Sequence, residues 1–459
     1  VVPPLRPPVR VARPQRALGR LLHAEDVAFG DRRERADEEA ELHGLAAVQH
    51  PRRRPGRAGL VGRRLGRTPR NIGRELTSSF GHGPQMLVCG PCAFMGARDN
   101  TEYSLRQAVV EVTNRCNLRC PHCASASGRA RADEMSLGEL RHVMRDLSEL
   151  GCKIVTLLGG ECLLRPDWYA IASSVKPLGM KLQLVTNGLL VTETVREQFK
   201  ALKPYAIGVS LDGATSDSYR RARGVDGYAT CRRLLDDLVL DGHRQVTAIT
   251  TFTSRNLGDF DRFVETFTDT PIVWQVQVVH RAGERFDDSL LLSSDQFAWY
   301  VERVTHCLYD LNGRLKIGTM DDFGYFPLTP KLRFLHQTWM GCPAGRHVVG
   351  IRANGDVLPC LSLGSGFVEA NLRVHPLKSI WRNPSSFPRF RSKERELIGK
   401  CAKCSFGRQY KAGCSAAALS TTGTLGENLF CVRRVETEKI LNDILSGETK
   451  KVINGTEGD

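Results

Sequence analysis

Ala108-Val-Val-Glu-Val-Thr-Asn-Arg-Cys116-Asn-Leu-Arg-Cys120-Pro-His-Cys123 carries an apolar run of strand length and, directly behind it, three thiols. The run ends at Thr113, so the cysteines fall in a short loop that leaves a strand. On parallel α/β barrels that end of the strand is where active-site groups gather. Three thiolates hold three corners of a four-iron cube and leave one iron open for a chelating cofactor. A structural zinc or a structural cluster usually takes four protein ligands.

Outward from this loop the pattern is alternating. Ser136 is an N-cap with Glu139 three residues on, and Leu137, Leu140, Val143, Met144, Leu147 and Leu150 follow at helical spacing before Gly151. Strands are expected at 153–158, 181–186, 205–211, 245–251 and 271–279, and helices at 166–175, 192–202, 228–240, 257–267 and 294–311. About six strand–helix units in succession predict an α/β fold with parallel strands, a partial (β/α)6 barrel over 105–312. Past Gly313 the alternation gives way to Gly, Pro and cysteine. A second, loop-rich, cysteine-ligated domain is expected over 313–445, closing with a helix at 435–445, before a polar tail at 446–459.

The sequence has 459 residues, 41% hydrophobic and 25% charged, with fifteen cysteines and a formal charge of +15. Seventeen arginines, no lysine and nine acidic residues place +8 of that charge in residues 1–85. That stretch is rich in Pro, Arg, Gly and Ala without sustained apolar periodicity, and reads as a disordered or spurious leader before Met86. Since the remaining 374 residues hold only +7, nucleic-acid binding is not expected. No apolar run approaches the roughly 20 residues that span a bilayer, and no secretory h-region is present. A cytoplasmic protein is expected, whose thiols stay reduced and serve metals better than disulfides.

The Cys116-x3-Cys120-x2-Cys123 loop resembles the signature of the radical S-adenosylmethionine (radical SAM) superfamily, and the resemblance extends over roughly 105–310. It implies a [4Fe-4S] cluster on these three cysteines and S-adenosylmethionine on the open iron. Four further matches follow in order. His122 stands where the family usually has an aromatic residue near the adenine. Gly159-Gly160-Glu161 matches the Gly-Gly-Glu motif, whose glycines would let backbone approach the SAM ammonium and whose Glu161 would contribute to that site. Asn187, after the third strand, and Ser210 and Asp212, after the fourth, fall where the family lines the SAM carboxylate and ribose.

One departure is Cys162, where the family has proline. A thiol at a strand end near the radical site is a candidate hydrogen-atom donor; the other reading is a small apolar packing residue. Cys152, Cys231 and Cys307 are expected to be buried structural thiols. Cys89-Gly-Pro-Cys92 resembles a thioredoxin redox motif but precedes the first strand and lacks a thioredoxin pattern around it.

The C-terminal cysteines resemble the SPASM/Twitch extension of the same superfamily. The family topology implies one auxiliary cluster on Cys342, Cys360 and Cys414 and another on Cys401, Cys404 and Cys431; where a further cysteine belongs, this chain has Tyr410. A shorter arrangement would place Cys342, Cys360, Cys401 and Cys404 around a single cluster.

The resemblance implies radical abstraction of hydrogen, with an electron donor such as flavodoxin or ferredoxin. The leading expectation is a small-molecule substrate, a sugar or aminocyclitol glycoside of antibiotic type, epimerised or oxidised at a carbinol carbon. Gln275, Gln277, Asp321 and Asp322 are candidate hydroxyl-binding groups. The alternative is a maturase that oxidises or cross-links a peptide or protein. Residues 86–104 are expected to form a short N-terminal extension.

Overall fold

The computed structural model describes residues 103–319, 328, 342–391 and 396–446. Expectations that fall elsewhere, including the leader, Cys89, Cys92, Asp321, Asp322 and most of the tail, lie outside the described residues.

The first half alternates as its periodicity predicts. β1 (Gln107–Glu111), α1 (Leu137–Glu149), β2 (Ile154–Leu158), α2 (Trp168–Ser173), β3 (Lys181–Thr186), α3 (Glu193–Leu202) and β4 (Ala206–Ser210) come first. Then follow α4 (Ser216–Arg223), α5 (Tyr228–Leu240), β5 (Val246–Phe252), α6 (Phe260–Phe267), β6 (Val273–Val278), α7 (Ser294–Asp310) and β7 (Ile317–Thr319). The Ser136–Glu139 capping box starts α1 by satisfying amides that have no partner inside the helix. Leu140, Val143, Met144 and Leu147 turn into the core, since three- and four-residue steps fall on one helix face.

α4 was not legible from periodicity. Its sequence is mostly polar; Thr215 caps it, and Tyr219 is its one fully buried aromatic.

The last part of the chain supplies β8 (Val348–Ile351), β9 (Asp356–Leu358) and β10 (Ala370–Asn371). The strands pair in the order β10-β9-β8-β1-β2-β3-β4-β5-β6-β7, and neighbours from β8 through β7 run parallel. The helices that follow are α8 (Leu377–Arg382), α9 (Pro388–Arg391), α10 (Gly399–Lys403), α11 (Gly407–Tyr410), α12 (Ser415–Thr422) and α13 (Val432–Leu445).

The sheet runs through the boundary expected at residue 312. β7 extends it at one edge, and β8 pairs parallel with β1 at the other, with Gln107 opposite Val348. Buried Glu111 reinforces this join by accepting the Ala353 N–H at 3.2 Å. Because β8 covers the β1 edge, the C-terminal segment stands beside the loop that leaves β1. An aromatic cluster of Phe252, Phe260, Phe263, Trp274 and Tyr300 fills the core under β5 and β6.

Candidate active site

Consecutive parallel strands point their C-terminal ends the same way, so the turns after β1 to β6 converge on one cavity of about 290 Å³. Cys116, Cys120 and Cys123 all line it. Their loop is held by backbone bonds, from Cys116 N–H to the Gly128 carbonyl at 3.1 Å and from Cys123 N–H to the Cys120 carbonyl at 3.3 Å. Arg285, from the segment after β6, donates to the carbonyls of Ala126 and Ser127 at 2.6 and 2.7 Å.

These residues fit an iron–sulfur cluster. Burial pushes the Cys116 thiol up and the Cys120 thiol up to about 11, so neither ionises readily without a cation. Iron supplies that positive charge. Three cysteines and no fourth line the cavity among the described residues, so a four-iron cluster held by them would keep one iron without a protein thiolate, available to a cofactor. Among the described residues no three acidic, histidine or cysteine side chains stand close enough for a single metal ion; a four-iron cube bridges thiolates set farther apart.

The Gly-Gly-Glu turn packs tightly against the cysteine loop. Gly159 and Gly160 line the cavity, but what requires glycine is the cysteine loop. A Cβ on Gly159 would stand 2.5 Å from the Thr113 carbonyl oxygen, and one on Gly160 2.4 Å from that of Arg115. The close approach lets Gly160 N–H donate to Thr113 at 2.7 Å and Glu161 N–H to Arg115 at 2.8 Å.

Glu161 is 1% exposed and does not line the cavity. Its carboxylate accepts from Asn187 N–H at 2.7 Å, Thr186 Oγ1 at 2.8 Å and Leu163 N–H at 3.2 Å, tying the turn after β2 to the turn after β3. Burial pushes its carboxyl up against these lowering bonds.

His122, Asn187 and Ser210 line the cavity. Asn187 Nδ2 donates to Asn117 Oδ1 at 2.7 Å, fixing its amide against the cysteine loop. Asp212 does not line it: the residue is 1% exposed, with Oδ2 turned to the side chains of His122 and Arg223 and Oδ1 to the Thr251 N–H. Burial acts to raise its carboxyl, but Arg223 and His122 beside it hold it well below the ordinary range.

Cys162 also points away. It is 2% exposed, packs in the hydrophobic core and directs its thiol at the Val185 carbonyl, 3.4 Å distant, so the hydrogen-donor expectation gives way to the packing one. The residue begins a short 3-10 turn, Cys162–Leu164, in which it is buried. Cys152, Cys231 and Cys307 are buried as well.

Gln277 lines the cavity and donates to Thr251 Oγ1 at 2.9 Å, whereas Gln275 lies behind it. Arg223, His280 and Ser362 also line the wall and were not singled out from the sequence. Arg223 was hidden because α4 itself was, and His280 and Ser362 belong to segments without a motif.

Ser362 shows that the C-terminal segment reaches this cavity two residues beyond Cys360. A bond of 2.5 Å from Arg281 N–H to Ser420 Oγ likewise joins the segment after β6 to α12, which Cys414 caps. The loop of Cys342 meets that of Cys360 through Gly345 N–H and the Pro359 carbonyl at 3.2 Å. Cys401, Cys404 and Cys431 line a separate cavity of about 310 Å³, together with Tyr410. Burial pushes the Cys431 thiol up to about 11, with Cys401 and Cys404 among the charges that raise it.

Comparison with known proteins agrees with this geometry. The Radical SAM superfamily model matches residues 110–267, and the iron–sulfur cluster-binding domain model SPASM matches 342–405. The AdoMet-dependent heme synthase of Methanosarcina barkeri is 30% identical over 344 residues, covering 71% of this chain and 95% of that protein. The mycofactocin maturase MftC of Mycobacterium tuberculosis is 27% identical over 319 residues, covering 68% and 78%. Among solved structures, Streptococcus suis SuiB bound to S-adenosylmethionine superposes with a TM-score of 0.59 at 20% identity, covering 71% of this chain and 76% of that one. The cofactors are therefore S-adenosylmethionine and a [4Fe-4S] cluster, joined by auxiliary iron–sulfur clusters. This chain belongs to the radical SAM superfamily and carries a C-terminal SPASM domain.

Proposed function

We propose that the protein is a maturase that oxidises a peptide or protein substrate, using the barrel cavity for hydrogen abstraction and the C-terminal segment for removal of a second electron. When bound, the cluster of Cys116, Cys120 and Cys123 supplies the electron that cleaves S-adenosylmethionine to the 5′-deoxyadenosyl radical. His122, Asn187 and Ser210 orient the cofactor on the wall they share with the cysteines. Gln277, His280 and Ser362 face the same space from β6 and the C-terminal segment, and there they bind substrate and exclude water. A flavodoxin or ferredoxin serves as electron donor. No described helix is long and apolar enough to cross a membrane.

The observation that carries this reading is Ser362, two residues beyond Cys360, which brings the SPASM segment to the cavity wall and so supports an electron acceptor held by that segment. The maturase relative supports the substrate class. The sugar or aminocyclitol expectation loses support, since Cys162, the residue that favoured epimerisation, does not face the cavity. A heme synthase-like conversion of a porphyrin is a second reading, favoured by the 30% identity over nearly the whole of that relative.

Anaerobically reconstituted full chain, given S-adenosylmethionine and reductant, should form 5′-deoxyadenosine in response to peptides, with oxidised peptide as product. Turnover with carboxylated porphyrins alone would move the assignment to the second reading. Turnover with aminocyclitol glycosides alone would overturn both.

A further inference from the structure

Three segments meet on one buried carboxylate. Asp212 stands two residues past β4 and is 1% exposed. Its Oδ2 accepts from His122 Nε2 at 3.0 Å and from Arg223 Nε and Nη2 at 2.8 and 2.7 Å. Its Oδ1 accepts from Thr251 N–H at the end of β5, at 2.7 Å. The residue's own carbonyl accepts from Asn256 Nδ2 at 2.8 Å.

Both oxygens are thus engaged, and neither is presented to the cavity. The two side chains they hold are on its wall. His122 is the residue between Cys120 and Cys123, and the Cys120 thiol lies 4.0 Å from the Arg223 carbonyl. A buried carboxylate and a buried guanidinium are each costly alone and tolerable only as a hydrogen-bonded pair, so the hub fixes where both partners sit.

We propose that Asp212 is a positioning residue of the radical SAM site: it touches neither cluster nor cofactor, and its carboxylate sets the His122 ring and the Arg223 guanidinium in register with the cysteine loop. An amide cannot replace it. Asparagine has one acceptor oxygen, and its NH2 group would face either the donors of His122 and Arg223 or the donor of Thr251. The role belongs to the superfamily chemistry and does not depend on which substrate is oxidised.

The test uses the full chain, anaerobically reconstituted. Asp212→Asn should raise KM for S-adenosylmethionine and lower its reductive cleavage, each by roughly 10- to 100-fold, the loss typical of partners that orient metal-site groups. The EPR spectrum of the reduced barrel cluster should change its response to S-adenosylmethionine, while C-terminal iron stays at the native level. His122→Phe keeps a ring and spares the Asp212–Arg223 pair, so it should reproduce part of that EPR change, and combining the two variants should add little to Asp212→Asn. Native KM and a native EPR response in Asp212→Asn would overturn the proposal. Should that variant fail to fold, the same native values in His122→Phe would overturn it. Equal loss of iron from all sites in a folded variant would also count against it, because that marks a general scaffold defect.

Discussion

The amide of Gly160 donates to the carbonyl of Thr113 at 2.7 Å, and this bond fastens the turn after β2 to the loop that carries the cluster cysteines. A methyl group on Gly160 would meet the backbone of Arg115 at 2.4 Å, where nothing flexible is able to yield. Gly160→Ala should therefore displace the cysteine loop at a cost of about 2 kcal/mol or more. Urea unfolding and iron content of the barrel site are the measurements; a variant with native stability and native iron would refute the packing argument.

Cys162 lies in the core behind the cavity wall. Cys162→Ala should destabilise the fold by about 1 kcal/mol through lost packing and leave both the product and the yield of 5′-deoxyadenosine unchanged. Turnover in deuterium oxide checks this, since accumulation of a different, oxidised product in the variant would restore the thiol as hydrogen donor.

Cys431 shares a cavity with Cys401 and Cys404, well apart in sequence from the barrel cysteines. Cys431→Ser should lower the iron content and remove the EPR signal of one C-terminal cluster while the barrel cluster persists. Loss of substrate oxidation with continued S-adenosylmethionine cleavage is the expected activity pattern. Unchanged iron would remove Cys431 from the ligand set.

Glu111 is buried where β8 joins β1, and burial pushes its carboxyl up despite Arg131 beside it. A folded-state pKa above the unfolded one means that the protonated form stabilises the fold. That contribution is complete below the unfolded value of about 4.3 and is lost as pH rises through the folded value. Glu111→Gln mimics the protonated form and still accepts the Ala353 amide, so its stability relative to the native chain should grow from about pH 5 to pH 8. Urea melts at both values test this, and a pH-independent difference would contradict it.

Much of the site was legible in the sequence because it is local. A strand followed by Cys116, Cys120 and Cys123 needs only the next dozen residues to be recognised, and the capping box at Ser136 likewise speaks for its own helix. The order of motifs after β2, β3 and β4 reflects one repeated geometry, since each parallel strand delivers its following turn to the same end. His122, Asn187 and Ser210 reach the cavity for that reason.

Where a side chain points at the end of a strand is a different matter, because it depends on what the neighbouring segments offer. Glu161, Cys162 and Asp212 all follow strands at the expected places, yet each turns inward to partners 11 to 90 residues away or to the core: Glu161 to Thr186, Cys162 to Val185, Asp212 to Arg223 and His122. The sequence by itself determined the barrel units and the cysteine spacing, since periodicity and short-range spacing encode them, and the resemblance of its ordered motifs to the radical SAM superfamily implied the chemistry. Only the tertiary structure decided that β8 joins β1, that Ser362 and Arg223 reach the cavity, and that one buried carboxylate holds two walls together. Those outcomes rest on long-range pairing and on the need of every buried polar group for a partner, neither of which a local pattern records.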